Sequence, residues 1–166
     1  MTTSGFTYPD VGATLRDPFP GGYRHLRYRV RVGPAAAFGR AAEVVLTFAM
    51  QRGTGTGIRA SAGRAAPGVR AVVGRGPIHA PCQVVWVREE QDLAGFAYGT
   101  LRGHQASGEE SFVVERDAGG TWLTIRSFSR PARLPMRALG PAAKPLQHLY
   151  ARLCGLSLKR QLKVVE

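Results

Sequence analysis

Residues 145–154 read Pro-Leu-Gln-His-Leu-Tyr-Ala-Arg-Leu-Cys. Leu146, Leu149, Tyr150 and Leu153 stand at i, i+3, i+4 and i+7, a single stripe on an α-helix, and Cys154 extends it. Arg152, Lys159, Arg160 and Lys163 take the other positions and the last turns, where cations favour the negative end of the helix dipole. Gly155 weakens the middle of such a helix. Pro131, Pro135, Pro141 and Pro145 break its approach. A helix with one apolar stripe needs a surface to bury it against, and the residues upstream supply a sheet.

The plainest strand is His25–Val32. Leu26, Tyr28, Val30 and Val32 alternate with His25, Arg27, Arg29 and Arg31, so the apolar set lies on one face and the arginines are expected in solvent on the other. Gly33-Pro34 then opens a helix, since proline suits the first helical turn. Phe38, Ala41, Ala42, Val45 and Ala49 form its stripe, Phe48 widens it, and it should end near Gly53. From Ile58 to about Ser129 the text is strand-like. Val69–Val73, Cys82–Glu89, Phe96–Leu101, Glu110–Arg116 and Trp122–Phe128 are rich in β-branched and aromatic residues, with a weaker strand at Ile58–Arg64. Asp117-Ala-Gly-Gly120 reads as a hairpin turn. The order predicts an α+β fold: a curved antiparallel sheet of six or seven strands around a long C-terminal helix. Residues 1–22, with Pro9, Pro18 and Pro20, read as an extended arm, and 23–166 as one domain.

The chain has 166 residues, 44% hydrophobic and 20% charged. That is long enough for a sizeable core and excludes a disordered chain, a collagen repeat and a coiled coil. The apolar runs are far shorter than a membrane span needs, and Met1–Asp10 has no leader pattern. A cytoplasmic protein with no transmembrane segment is expected. Cys82 and Cys154 are expected to be reduced. His79-x-x-Cys82 has no second ligand pair, so no metal or other cofactor is expected. The formal net charge is +12, and of the 23 basic residues only three are lysines, leaving twenty arginines. Such a balance suits a phosphate backbone or anionic surface, but the charges are spread, and codon bias toward arginine explains them as well. Gly53–Gly57 lacks the Lys-Ser/Thr of a phosphate loop. No nucleophile elbow, zinc helix or nucleic-acid motif occurs.

Tyr98–Glu110 is the densest polar cluster. His104 and a carboxylate there could form an acid–base pair. Adjacent strand residues point to opposite faces, so only one of Glu109 and Glu110 can face the interior. Glu110 shares parity with Phe112 and Val114 and is placed inward, where a carboxylate needs a partner or a raised pKa. Arg130 or Tyr98 is the expected partner. Catalytic candidates are therefore Glu110, His104 and Tyr98. Ligand-binding candidates are Tyr98, Thr100, Glu110, Arg130, Trp86, Trp122, Phe128 and Tyr150, the tryptophans and Phe128 serving as core or cavity wall.

Several segments together resemble one family. They are Tyr8-Pro9-Asp10-Val11-Gly12-Ala13-Thr14, Gly22–Leu26 and Phe38–Glu43. Gly95–Leu101 runs on through Gly103-His104 to Ser107-Gly108-Glu109-Glu110, and Phe128-Ser129-Arg130-Pro131 follows. Over roughly residues 8–155 the chain resembles the domain-of-unknown-function 1990 family. That resemblance implies a helix-grip fold similar to the START-like and polyketide-cyclase proteins and brings no established activity. Three functions stand at this stage. The first is binding of a small hydrophobic or amphipathic ligand in a hydrophobic cavity between sheet and C-terminal helix. The second is a cavity enzyme with cyclase- or hydrolase-like acid–base chemistry, and the third a nucleic-acid- or anion-binding module on the basic face. The oligomeric state is not legible.

Overall fold

The computed structural model describes residues 5–132 and 143–163. Pro135 and Pro141, and the first four residues of the arm, lie outside them. Seven strands are present: β1 (Arg24–Gly33), β2 (Ile58–Ala60), β3 (Arg70–Val73), β4 (Ala80–Glu89), β5 (Leu93–Thr100), β6 (Ala106–Asp117) and β7 (Gly120–Pro131). They form one antiparallel sheet in the order β1-β7-β6-β5-β4-β3-β2. The sheet curves around the long C-terminal helix, as the alternation and the closing amphipathic stretch predict. Two shorter helices, α1 (Phe38–Leu46) and α2 (Ala49–Arg52), precede β2, and α3 (Ala143–Lys163) ends the described chain. Among the described residues no helix is long and apolar enough to cross a membrane.

The continuous helix expected from Pro34 to Gly53 is broken. A 3-10 turn at Ala35–Ala37 precedes α1, and Phe48 interrupts the path with φ of 61°. The left-handed backbone costs a non-glycine residue about 1–3 kcal/mol. It also delivers the Phe48 ring to the core, edge-on to Phe96 at 5.3 Å between ring centres. Burial of that ring offsets the strain.

The main core lies between the sheet and the helices. Phe48, Phe96, Phe112, Leu123, Ile125 and Leu158 are fully buried there. The side of α3 that meets the sheet differs from the expected stripe. Leu146 and Leu149 are exposed and Leu153 is half-buried, while Ala151, Cys154, Gly155 and Leu158 are buried. Small residues win because they let the helix come close. A Cβ on Gly155 would stand 3.0 Å from the Tyr28 hydroxyl and 3.2 Å from a Val30 methyl. The glycine that weakens the helix in isolation seats it on β1. The far end of α3 is tied to α2: Ser157 Oγ donates to the Met50 carbonyl at 2.7 Å and Gln161 Nε2 to that of Ala49 at 2.9 Å.

On the opposite face the arm folds back across the sheet. Tyr8, Ala13, Phe19 and Phe128 make a second small core, with Phe6 and Tyr23 packed on it. Arg27, Arg29 and Arg31 are exposed on this face, as their parity predicts. None is idle. The Arg27 guanidinium lies over Phe19 and pairs with Asp17, that of Arg29 lies over Trp122, and Arg31 donates to the Gly119 carbonyl.

The two sides of α3 make a direct test. Leu158→Ala should lower unfolding free energy by about 2–5 kcal/mol, the usual cost of truncating a buried leucine. Leu149→Ala should change it by less than about 0.5 kcal/mol. Urea melts of the two variants check both; equal losses would place the packed stripe where the leucine spacing first put it.

Candidate functional site

β6 carries two carboxylates in succession, and the period of the strand sends them to opposite faces. Glu109 points toward the arm and is 2% exposed. Its Oε2 accepts from the Tyr8 hydroxyl at 2.6 Å and from the Gly12 amide at 2.7 Å. Its Oε1 accepts from the Thr14 amide at 3.1 Å and from the Thr14 hydroxyl. That hydroxyl in turn accepts from Trp86 Nε1 at 2.9 Å. Gly99 stands opposite Glu109 on β5. Its missing side chain is what admits the phenol, because a Cβ there would lie 2.1 Å from the Tyr8 hydroxyl. Burial and the charge of Glu109 together hold the Tyr8 phenol far above its ordinary range. An ionised carboxylate costs several kcal/mol to bury unless such donors surround it. The Tyr8–Thr14 segment is thus an anchoring loop that fastens the arm.

Glu110 points the other way, beneath α3. In register it stands between Tyr98 on β5 and Ser127 on β7. The Tyr98 hydroxyl donates to its Oε1 at 3.4 Å, a long bond. Cys82 from β4 and Cys154 and Tyr150 from α3 complete the surroundings, each electrostatically coupled to Glu110. Both cysteines are free and buried. Burial pushes the Glu110 carboxyl up to about 7, the bond from Tyr98 opposing it only in part. Burial likewise drives the Tyr98 and Tyr150 phenols well above their ordinary value and raises both thiols. The Tyr150 hydroxyl is buried against the Tyr98 hydroxyl and the Cys154 thiol without a well-formed hydrogen bond to either. Glu110 is packed round by protein yet keeps part of its surface accessible. No cation among the described residues pairs with it; every ion pair there lies elsewhere.

The remaining candidates are dispersed. Arg130 is on the arm side, exposed, its guanidinium 5.0 Å from the Tyr23 ring centre, so the expected Glu110–Arg130 pair does not form. The reason is parity: Arg130 shares its face with Phe128, which packs on Tyr8 and Phe19. Trp86 binds Thr14 and Trp122 carries Arg29 and donates to Asp117, so both tryptophans and Phe128 stand on the arm face rather than walling a cavity under α3. Thr100 is occupied by Thr7 and by the Gly108 amide. His104 Nδ1 accepts from the Ala106 amide at 2.9 Å, and burial lowers its pKa to about 4, so the ring is neutral and engaged in its own turn. Tyr98, Glu110 and Tyr150 are the candidates that converge. Two open grooves lie away from them, one between Arg52, Gly53, Ser157 and Arg160, the other at the turns around Asp92 and Asp117.

Comparisons follow from this geometry. The family described as domain of unknown function 1990 matches residues 7–157. A UPF0548 protein of Deinococcus radiodurans is 42% identical over 76 residues. That match covers 43% of this chain and 38% of the relative, so the chain matches well under half of that protein's length. The crystal structure of hypothetical protein jhp0584 from Helicobacter pylori superposes with a TM-score of 0.67 at 9% identity, covering 96% of this chain and 97% of that one. A START superfamily protein from Mycobacterium smegmatis gives 0.59 at 14% identity, covering 87% and 100%. These structures share the fold.

The two carboxylates should respond oppositely to the same substitution. Glu109→Gln turns an amide toward donors and should cost about 2–4 kcal/mol, one or two buried donors left unsatisfied. Glu110→Gln should not destabilise at pH 8, because no cation is lost. Its folded pKa lies above the ordinary 4.5, so its share of stability is full below about pH 4.5 and is lost as pH rises to about 7. His104 acts in the other direction, gaining stability as pH rises from about 4 to its ordinary 6.5. The difference between wild type and Glu110→Gln in urea melts from pH 4 to 8 isolates the first slope. A flat difference would contradict the raised carboxyl.

Proposed function

The chain belongs to the domain-of-unknown-function 1990 family, and on that footing we propose that it binds a small hydrophobic or amphipathic molecule on the helix-facing side of its START-like sheet. The polar group of the ligand is held by Tyr98, Glu110 and Tyr150. One observation carries the reading: a partly accessible carboxyl sits under a helix with one long hydrogen bond and no cation among the described residues. A fold selected only for stability would replace these groups by apolar ones, since an unsatisfied buried polar group costs about 1–3 kcal/mol. Much of the wall is filled by Phe96, Phe112 and Leu158, so the ligand is small and lies at the Tyr150 end of the helix rather than in a long apolar tunnel.

A second reading is acid–base catalysis at the same place. The raised carboxyl favours it, because a group titrating near 7 is matched to proton transfer at neutral pH. Glu110 is then the proton carrier and Tyr98 its positioning donor. His104 has no share, being held in its turn.

Native mass spectrometry of protein isolated from its own host provides the test. A co-purified small molecule is expected with the wild type. It should be absent from a folded Glu110→Gln, Tyr150→Phe double variant. Retention by the double variant would move the site elsewhere. A returned molecule that is chemically altered after incubation would favour the catalytic reading.

A further inference from the structure

Among the described residues, Glu110 is the acidic side chain on the helix face of the sheet, and it receives neither a cation nor a full set of donors. Asp17, Glu43, Glu89, Glu90, Asp92 and Asp117 are each paired with an arginine. Glu109 is answered by four neutral donors. Glu110 receives one long bond. This happens in a chain with net charge +12, where arginine is the most available partner. Among the described residues, the titratable groups that face Glu110 are Tyr98 from β5, Cys82 from β4, and Tyr150 and Cys154 from α3, and Ser127 stands opposite it on β7. All are neutral at pH 7–8, since burial raises both phenols and both thiols.

From this arrangement we propose that the ligand carries a cationic amine head group, held by the Glu110 carboxylate beside the Tyr98 and Tyr150 phenols, on a short apolar body lying under α3. The inference rests on the ligand-binding reading above and names the chemical class of the ligand. An anionic head group meets a like charge in a poorly solvated place and is rejected. A neutral head group leaves the carboxylate uncompensated, or forces it to stay protonated. An amine supplies the missing charge, and its N–H groups reach an acceptor that has only Tyr98. The phenol rings add a face on which a cation is attracted. The Tyr150 hydroxyl, which makes no well-formed hydrogen bond, accepts a further N–H. Tyr98 also stacks against Phe96 and Phe112, with ring centres 6.0 and 5.3 Å apart, so an apolar wall continues from the polar end. Binding should tighten as pH rises through about 7 while Glu110 ionises. It should weaken again near pH 10–11, roughly where an alkylamine loses its proton.

Three probes of one length separate the possibilities: octylamine, 1-octanol and octanoate. Isothermal titration calorimetry at pH 8 on the intact chain should rank octylamine first, at least about tenfold tighter than 1-octanol, with octanoate weakest. Glu110→Gln should erase the advantage of the amine. Independently of any variant, a carbon-13 titration of the wild-type Glu110 carboxyl should show its pKa falling by at least about one unit with octylamine and not with 1-octanol. This second measurement serves if Glu110→Gln does not fold. If 1-octanol binds as well as octylamine, and Tyr150→Phe weakens both, the amine is overturned while the ligand site stands. If octylamine binds without moving the Glu110 titration, the amine sits elsewhere and the inference fails. If none of the three binds the wild type, both the inference and the ligand-binding reading fall.

Discussion

A strand has a period of two, and β6 turns that constraint into the organisation of the molecule. Glu109 and Glu110 are neighbours in the chain and cannot share a face. One is therefore committed to the arm and the other to the helix. An ionised carboxylate taken from water loses several kcal/mol of solvation. Glu109 recovers this through four donors contributed by three residues of the arm, which closes the loop Tyr8–Thr14 around a single side chain. The charge thereby becomes the reason the arm has a defined path. Glu110 makes no such recovery, and the imbalance between the two is what supports the proposed ligand site on the helix side.

Closing the outer face has a consequence for the arginines. Arg27 and Arg126 share Asp17 and flank the Phe19 ring. Arg130 lies over Tyr23 and Arg29 over Trp122. Guanidinium groups stack on aromatic faces because they are planar and weakly hydrated. Much of the positive charge on this face is therefore spent in holding the arm and the β1–β7 edge together. A phosphate backbone would have to compete with those contacts, which weakens the anion-binding reading without drawing on any missing motif.

The fold was legible because its signals are local and periodic. The alternation of Leu26, Tyr28, Val30 and Val32 with arginines, the β-branched runs and the Asp117–Gly120 turn each name an element, and the sheet assembles them in one antiparallel order. The inward parity of Glu110 was legible for the same reason. What could not be read was which side of an amphipathic helix does the packing. Leucine spacing pointed to Leu146 and Leu149, whereas close approach to β1 selects Ala151, Cys154 and Gly155, a steric fact invisible to hydrophobicity. The Phe48 break is equally non-local, since only Phe96 and the surrounding core make it worthwhile. The outward turn of Trp86, Trp122 and Phe128 hides behind the arm, because an aromatic residue on a strand reads as core whichever face is covered. The clamp on Glu109 needed contacts across about a hundred residues of chain, and the only hint of it was the Tyr8–Thr14 segment.

The same steric fact about α3 bears on the proposed site. From Ala151 to Leu158 the helix presses on the sheet through small side chains, and its far end is bonded to α2. From Lys144 to Tyr150 no described side chain is buried. The helix is thus packed closely along its second half, while along its first it meets the sheet through Gln147, whose Nε2 donates to Ser129 Oγ at 2.9 Å. Tyr150 sits at the change between the two regimes, and Cys154, one turn on, is already in the packed half. Tyr150 and Cys154 both lie near Glu110, so this poorly compensated carboxyl stands where the buried stretch of the helix begins. A purely structural carboxyl would be placed where packing is tightest and donors are plentiful, as Glu109 is. The different placement of Glu110, on a rigid strand beneath the helix with few donors, supports the binding reading proposed above.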